Sequence, residues 1–288
     1  MPPFTAGAHI DVHLANGLLR SYSLTNQSSE RHRYVIAVNK DAASRGGSKF
    51  MHETVRAGDI VTIGVPRNNF PLVESAEHSV LVAGGIGITP IWCMIQRLQA
   101  IGRSWELYYA ARNRQSTAFL DELRDLDHGI HLNLHFNFDA ESDGKMLDLA
   151  AIVQTATPAT HLYCCGPIPM LVAFEKATTG IPPERIHVEY FAAKDSAAAE
   201  GGFAVELARS QRSLFIPVGK TILDTLLDEN IDVAYSCMEG ICGSCETRVL
   251  EGIPDHRDLV LTKEEKAANK TMMICCSGSK SKKLVLDL

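Results

Sequence analysis

The 288-residue chain has no run of about eighteen or more apolar residues, so the sequence predicts no membrane-spanning helix. Its longest apolar stretch, Val80 to Ile95, is interrupted by Gly84, Gly85, Gly87 and Pro90. The start, Met1-Pro2-Pro3-Phe4, lacks the basic and apolar regions of a secretory signal. Positive charge is not in excess. The net charge of -6 gives no reason to expect nucleic-acid binding. The eleven His show no H-E-x-x-H spacing, and no G-x-S-x-G is present. A catalytic metal on histidines and a serine-hydrolase elbow are therefore not expected. The G-x-G-x-x-G dehydrogenase fingerprint is missing too. Hydrophobic content of 45% and charged content of 22% are ordinary for a soluble protein, and the length allows two or three domains.

What is present is cysteine in one pattern. Cys237, Cys242 and Cys245 stand as C-x4-C-x2-C, with Cys275 and Cys276 far downstream. That is the spacing of a plant-type [2Fe–2S] centre, held by four thiolates of which three share one loop. Gly240 and Gly243 let such a loop turn sharply and aim amide N–H groups at sulfide. A structural zinc site and buried core cysteines are the alternatives. Zinc sites pair C-x2-C with a second C-x2-C or H-x3-5-H knuckle, and none follows Cys245. The adjacency of Cys275 and Cys276 leaves the fourth ligand open, and as neighbours on a strand the two are expected to point to opposite faces. Free thiolates point to a reducing cytoplasm.

The pattern of the chain changes twice. Residues 1–74 show short β-rich runs, His9 to Leu14, Tyr34 to Val38 and Asp59 to Ile63, and predict a small antiparallel barrel. Residues 75–192 alternate strand with helix. They predict a parallel sheet covered on both faces, with Ile130, Leu132, Leu134, Phe136 and Phe138 alternating in one strand. Residues 193–202 read as a linker. Residues 203–288 read as a hairpin, a helix opened by a capping box at Thr221-Ile222-Leu223-Asp224, the Cys loop and a final strand from Lys283 to Leu288. That is a ferredoxin-like β-grasp module.

Arg20-Ser21-Tyr22-Ser23 on a barrel strand offers a guanidinium fork for phosphate, a ring to lie against a flat ligand, and seryl hydroxyls. Arg45-Gly46-Gly47-Ser48 is a second phosphate-type loop. An exposed Arg and an ordinary turn are the plain alternative. Gly84-Gly85-Ile86-Gly87-Ile88-Thr89-Pro90 would let a dinucleotide pyrophosphate approach the backbone at a helix start. Arg112 and Arg114, just past a strand, would address adenosine phosphate or ribose, or are surface arginines. Cys93 reads as core.

In combination, R-x-Y-S, R-G-G-S, G-G-I-G-I-T-P, C-G-P at Cys165-Gly166-Pro167 and C-x4-C-x2-C resemble the phthalate dioxygenase reductase family, with the vanillate O-demethylase reductases nearest. Pro66 to Leu72 and the ending Leu284 to Leu288 are also characteristic. The resemblance spans the chain. It implies an FMN-binding barrel, an NAD domain and a [2Fe–2S] domain, and the plant-type spacing favours Cys275 as the fourth ligand. It places Thr89 between flavin and nicotinamide, Cys165 beside the nicotinamide, with Cys164 on the opposite face, and Phe191 over the flavin, where an ordinary core Phe is the alternative. Family members carry about two further strands ahead of Pro3-Phe4-Thr5-Ala6-Gly7, so a barrel incomplete at its N-terminus, with open edges and exposed apolar surface, is expected.

The implied activity is NADH-dependent: electrons pass from NADH to FMN to [2Fe–2S] and on to the oxygenase component of a Rieske-type system, with this chain monomeric when free. NADH rather than NADPH rests on the resemblance. A standalone flavin reductase and a redox-sensing electron-transfer module are the alternatives. Nine acidic residues between Asp224 and Asp258 face two basic ones, Arg248 and Arg257. An acidic surface that steers a basic partner is the expectation, and a merely solvated face the alternative.

Overall fold

The computed structural model describes residues 1–41, 44, 46–126, 133–141, 144–192 and 197–288. Arg45, Ile130, Leu132 and residues 193–196 of the expected linker lie outside that set. The chain forms two compact units, Met1–Phe191 and Ala192–Leu288.

The first unit opens with antiparallel β-structure. β1 (His9–His13) pairs with β2 (Leu19–Ser23) on one side and β3 (Thr62–Ile63) on the other. Bridges His9–Arg67 and Leu24–Ile36 extend the pairing. Ile60 and Val65, flanking the edge strand β3, stand 99% and 70% exposed. A short helix, α1 (Gly47–Glu53), follows Gly46, whose φ of 93° turns the chain into it. The sequence suggested only a loop there, because seven residues are too few to show a helical period.

The rest of this unit alternates regularly: β4 (His78–Gly84), α2 (Ile88–Ala100), β5 (Ser104–Ala111), α3 (Leu120–Asp125), β6 (Asn133–Phe138), α4 (Leu149–Gln154), β7 (Thr160–Cys165), α5 (Ile168–Ala177) and β8 (Ile186–Glu189). All pairs are parallel, in the order β6-β5-β4-β7-β8. Strand alternation sends Leu81, Ala83 and Tyr163 to one core and Val80, Val82 and Leu162 to another. The order reverses between β4 and β7. A crevice at such a switch, outside the carboxyl ends of the strands, is where ligands bind in open α/β sheets. Helix α2 also ties the two parts of the unit together. Gln96 Nε2 donates to Thr25 O (2.7 Å) and the Cys93 thiol to Asn26 O (3.2 Å), just beyond β2.

The second unit holds β9 (Phe203–Leu207), β10 (Arg212–Ile216), α6 (Ile222–Asp228), β11 (Glu246–Glu251), β12 (Pro254–Asp255), α7 (Lys263–Ala268), β13 (Thr271–Met273), β14 (Gly278–Ser279) and β15 (Lys283–Leu286). Its five-stranded sheet runs β10-β9-β15-β11-β13, with β15 parallel to β9. The hairpin turns at Gln211, φ 55°. The capping box at α6 is formed: Thr221 Oγ1 accepts from Asp224 N (3.1 Å) and Asp224 Oδ2 from Thr221 N (3.0 Å). Buried Ile222, Leu223 and Leu226 pin that helix to Val205, Leu207 and Leu284.

Candidate functional site

Strand β2 carries R-x-Y-S with its side chains sorted by alternation. Ser21 donates to Asp11 Oδ1 (2.7 Å), and Asp11 also pairs with Arg67, so the Ser21 hydroxyl is committed to protein. Arg20 crosses the backbone of Gly47. A Cβ at Gly47 would stand 2.7 Å from Arg20 Nε, so the two predicted phosphate motifs meet there. Tyr22 is half-buried, and burial pushes its hydroxyl pKa up against the lowering pull of Arg20. Ser48 donates to Ser44 Oγ (2.9 Å), which closes the turn ahead of α1.

At the switch point, the loops after β4 and β7 interlock. A Cβ on Gly87 would collide with the Cys165 carbonyl, and one on Gly84 would stand 2.6 Å from Pro167. Gly166 meets the Gly84 backbone in turn. Gly85 has φ 54° and open space where a side chain would lie, so its backbone is free for close approach. Its carbonyl accepts from Tyr109 Oη (3.1 Å). Thr89 is buried, and its hydroxyl donates back to Ile86 O (2.9 Å). Pro90 lies buried in the first turn of α2. Phe191, 40% exposed, follows β8 by two residues.

Cys164 and Cys165 are both fully buried and join different cores, on opposite faces of β7. The Cys165 thiol is pushed well above its usual range by burial, then by Glu189 and Cys164. Glu189 is its register partner on β8. Glu189 Oε2 is buried with no hydrogen-bond partner, and burial pushes the carboxyl up to about 8. Sequence reasoning missed Glu189. The available signal was an acid two residues before Phe191, ending an otherwise apolar-alternating strand.

Of the two arginines, Arg112 is exposed. Arg114 is bound in a fork to Glu141 (2.6 and 2.7 Å) and lies over the Phe138 ring at 4.5 Å. Together with Phe136 and Asn137 these residues line a shallow cleft at the carboxyl end of β6.

In the second unit, four thiols converge. Cys237 contacts Cys242 and Cys275, and Cys275 contacts Cys245. Left-handed Met238 (φ 57°), Gly240 (67°) and Gly243 (77°) curl the loop. Glu239 N donates to Cys237 Sγ at 3.3 Å. Donation from Cys242 and Cys275, then from the Glu239 and Ile241 backbone, holds the Cys237 thiol far below its usual range. Cys275 is pushed up by its sulfur neighbours. All eight cysteines are free of disulfides. Among the described residues, no three His, Cys, Asp or Glu are set to hold a single metal ion. A donor set of thiols alone, without imidazole or carboxylate, fits an iron–sulfur cluster, which distributes four thiolates over two irons.

One expectation about this region needs correction. Cys275 and Cys276 were separable as neighbours on a strand, but β13 ends at Met273 and both lie in a turn, buried together. The acidic surface also changes on folding. Asp228 pairs with Lys220, Glu229 with Arg212, Glu251 with Lys283, and Asp255 with Arg257 and Lys280. Asp258 is buried beside Lys266 and His256. At least five of the nine acids thus already have cationic partners.

Residues 205–279 match the model of the 2Fe-2S iron-sulfur cluster binding domain, and residues 81–176 that of the oxidoreductase NAD-binding domain. The chain is 54% identical to phenoxybenzoate dioxygenase subunit beta of Ectopseudomonas oleovorans, over 100% of this chain and 89% of that one. It is 53% identical to tetrachlorobenzoquinone reductase of Sphingobium chlorophenolicum, over 100% and 90%. Both exceed the 46% shared with a vanillate O-demethylase oxidoreductase of Pseudomonas sp., over 100% and 91%. A solved phthalate dioxygenase reductase, described as a modular structure for electron transfer from pyridine nucleotides to [2Fe-2S], is 42% identical. It superimposes with a TM-score of 0.77 over 100% of this chain and 89% of its own. Similarity at this level runs through every segment, and the chain belongs to the phthalate dioxygenase reductase family.

Proposed function

We propose that this chain is the NADH-dependent reductase component of a Rieske-type aromatic oxygenase or O-demethylase system. The observation that carries the reading is the gathering of Cys237, Cys242, Cys245 and Cys275 in a unit of its own, downstream of a dinucleotide-type switch point. When bound, FMN would take a hydride from NADH and release its electrons singly, and a [2Fe–2S] cluster would pass them on one at a time.

The chain's own residues bind, orient and shield. Arg20 and the Gly46–Gly47 backbone would hold the flavin phosphate, and Tyr22 and Ser23 would meet its ring system. The exposed ring of Phe191 would cover the flavin. Gly84, Gly85, Gly87 and Gly166 leave room for the dinucleotide backbone. Arg112 and the Arg114–Glu141 pair border its adenosine end. Thr89, Cys165 and Glu189 wall the nicotinamide end and exclude water, with the Cys165 thiol kept protonated by burial. Cys237, Cys242, Cys245 and Cys275 hold the cluster. The chain works as a monomer in the cytoplasm, where free thiols persist. No helix among the described residues is long and apolar enough to cross a membrane.

The test is reconstitution. Purified chain should carry one FMN, two irons and two labile sulfides, and NADH oxidation should become coupled to product formation when the cognate oxygenase is added. Zinc in place of iron ends the electron-transfer reading. A second reading, direct reduction of a small quinone by the flavin, is favoured by the 53% relative named for that activity. It predicts quinone turnover that survives removal of the cluster.

A further inference from the structure

The sheet of the first unit carries a pair of opposite charges in fixed geometry at its β6 edge. Neighbouring strands lie about 4.8 Å apart, so the end of β6 stands about 10 Å from the end of β4. That is the side away from β7 and β8, which carry Cys165 and Glu189. A dinucleotide laid across the switch point with its nicotinamide over β7 therefore places its adenosine ribose over β5 and β6.

The loops after those two strands are joined by backbone. Asp139 N donates to Ala111 O (3.0 Å) and Ala140 N to Arg112 O (3.1 Å). Asn113 Oδ1 accepts from Ser116 N (2.9 Å) and fixes the single turn that begins at Arg114. Glu141 N donates to Phe138 O (2.9 Å). Both charged side chains thus start from a fixed backbone. Arg114 Nε and Nη2 donate to the two carboxylate oxygens of Glu141, at 2.6 and 2.7 Å, and the guanidinium lies 4.5 Å over the Phe138 ring. An ion pair this exposed, at 50% and 46%, adds little to stability. What the clamp changes is which nucleotide the cleft accepts.

Dinucleotide sites tell NADH from NADPH at the adenosine ribose: an acid accepts from the free 2′-hydroxyl, and an arginine binds the 2′-phosphate. This cleft holds one of each, tied together. The clamp occupies N–H groups of Arg114 and sets a carboxylate against its charge. A 2′-phosphate, with close to two negative charges, would meet a carboxylate and a guanidinium already neutralised. A ribose hydroxyl meets an acceptor, because each carboxylate oxygen keeps a second lone pair. We propose that Glu141 is a specificity-determining residue: by holding Arg114 in the fork it makes the cleft a site for the 2′-hydroxyl of NADH and turns away the 2′-phosphate of NADPH.

The inference rests on the reading of this unit as the one that binds the nicotinamide nucleotide. The experiment measures binding of ADP-ribose and of its 2′-phosphate to the full-length, flavin-loaded protein by calorimetry, with flavin reduction by NADH and NADPH alongside. Wild type should prefer ADP-ribose. Glu141→Ala frees the fork, and affinity for the 2′-phosphate relative to ADP-ribose should rise about tenfold to a hundredfold, the worth of one hydrogen bond to a charged group. The NADPH-to-NADH ratio of kcat/KM should move the same way. Arg114→Ala should show no such rise, and Glu141→Ala/Arg114→Ala should lose it. Both side chains are half exposed, so the core is kept, and melting temperatures verify it. An unchanged ratio in Glu141→Ala, or a rise retained in the double variant, overturns the inference. A wild type that binds neither compound refutes the nucleotide reading itself.

Discussion

The chain contains two Cys-Cys pairs, and they behave in opposite ways. Cys164-Cys165 ends a β-strand, where alternation sends one thiol into each of two cores. Cys275-Cys276 sits in a turn, where both thiols enter the same core. The first pair is neutral by burial, with Cys165 facing the carboxyl of Glu189. The second belongs to a group of sulfurs among which Cys237 is strongly acidified. Each pair is crossed by a glycine: Gly87 over the Cys165 backbone, Gly240 over the Cys276 sulfur. The same dipeptide is thus a spacer in one unit and part of a chemical site in the other. The backbone, not the residue type, decides which.

The largest expected effect tests the chemical half of that contrast. Cys275→Ser should lose or strongly disrupt the cluster, measured as iron, labile sulfide and visible absorbance, while NADH still reduces the flavin. Cys164→Ala should keep the cluster and the NADH reaction, and lower stability of the first unit by about 1–2 kcal/mol. An intact cluster in Cys275→Ser would mean that Cys276 is the ligand.

The glycine crossings give the next effect. Gly87 has φ −60°, so alanine there meets no backbone strain, only the carbonyl of Cys165. Gly87→Ala should destabilise the first unit by about 1–3 kcal/mol, and Cys165→Ala should not rescue it, because the collision is with backbone. Gly240→Ala should carry a similar loss, part of it the ~1–2 kcal/mol of left-handed strain. Here a Gly240→Ala/Cys276→Ala double variant should recover the part due to the sulfur. Thermal melting of the four variants decides the matter, and rescue in the first unit or none in the second breaks the parallel.

Glu189 supplies a pH test. Its carboxyl is pushed up to about 8 in the folded chain, whereas an unfolded Glu ionises near 4.5. Between those values the native state holds a proton that the unfolded state has released. Stability therefore falls as pH rises through that window. Melting temperature of wild type should decline from about pH 5 to pH 8 relative to Glu189→Gln, whose neutral amide does not titrate. Parallel curves would show that the carboxyl is solvated.

The smallest effect concerns partner docking. With at least five of nine acids already paired, reduction of the oxygenase should slow only a few-fold as salt rises, surface charges being screened beyond about 8 Å at physiological ionic strength. Glu246→Lys should slow it slightly and leave flavin reduction by NADH unchanged. A steep salt dependence would restore a larger role for charge steering.

Sequence made the short-range parts of this site legible. C-x4-C-x2-C was legible because its three cysteines share one loop, and the capping box at Thr221 because it spans four residues. The doubly covered sheet followed from alternation of strand and helix. Features set by distant contacts were hidden. The Cys275–Cys276 turn was read as a strand because Met272 and Met273 before it are indeed in one. Glu189 drew no reading because its burial depends on β7. The pairing of Asp255 with Lys280 needed the β12–β14 contact to be known. Arg20 over Gly47 joins residues separated by an entire stretch of irregular chain.

Strand β15 lies at the middle of the second unit's sheet, yet follows both ligand segments in the chain. The strand that separates β9 from β11 is thus made after every one of the four cysteines, and the sheet cannot close around them until residues 283–286 are in place. A stall or frameshift after Ser277 would leave a polypeptide with every ligand present and no scaffold to shelter them, a target for oxidation and proteolysis rather than an electron carrier.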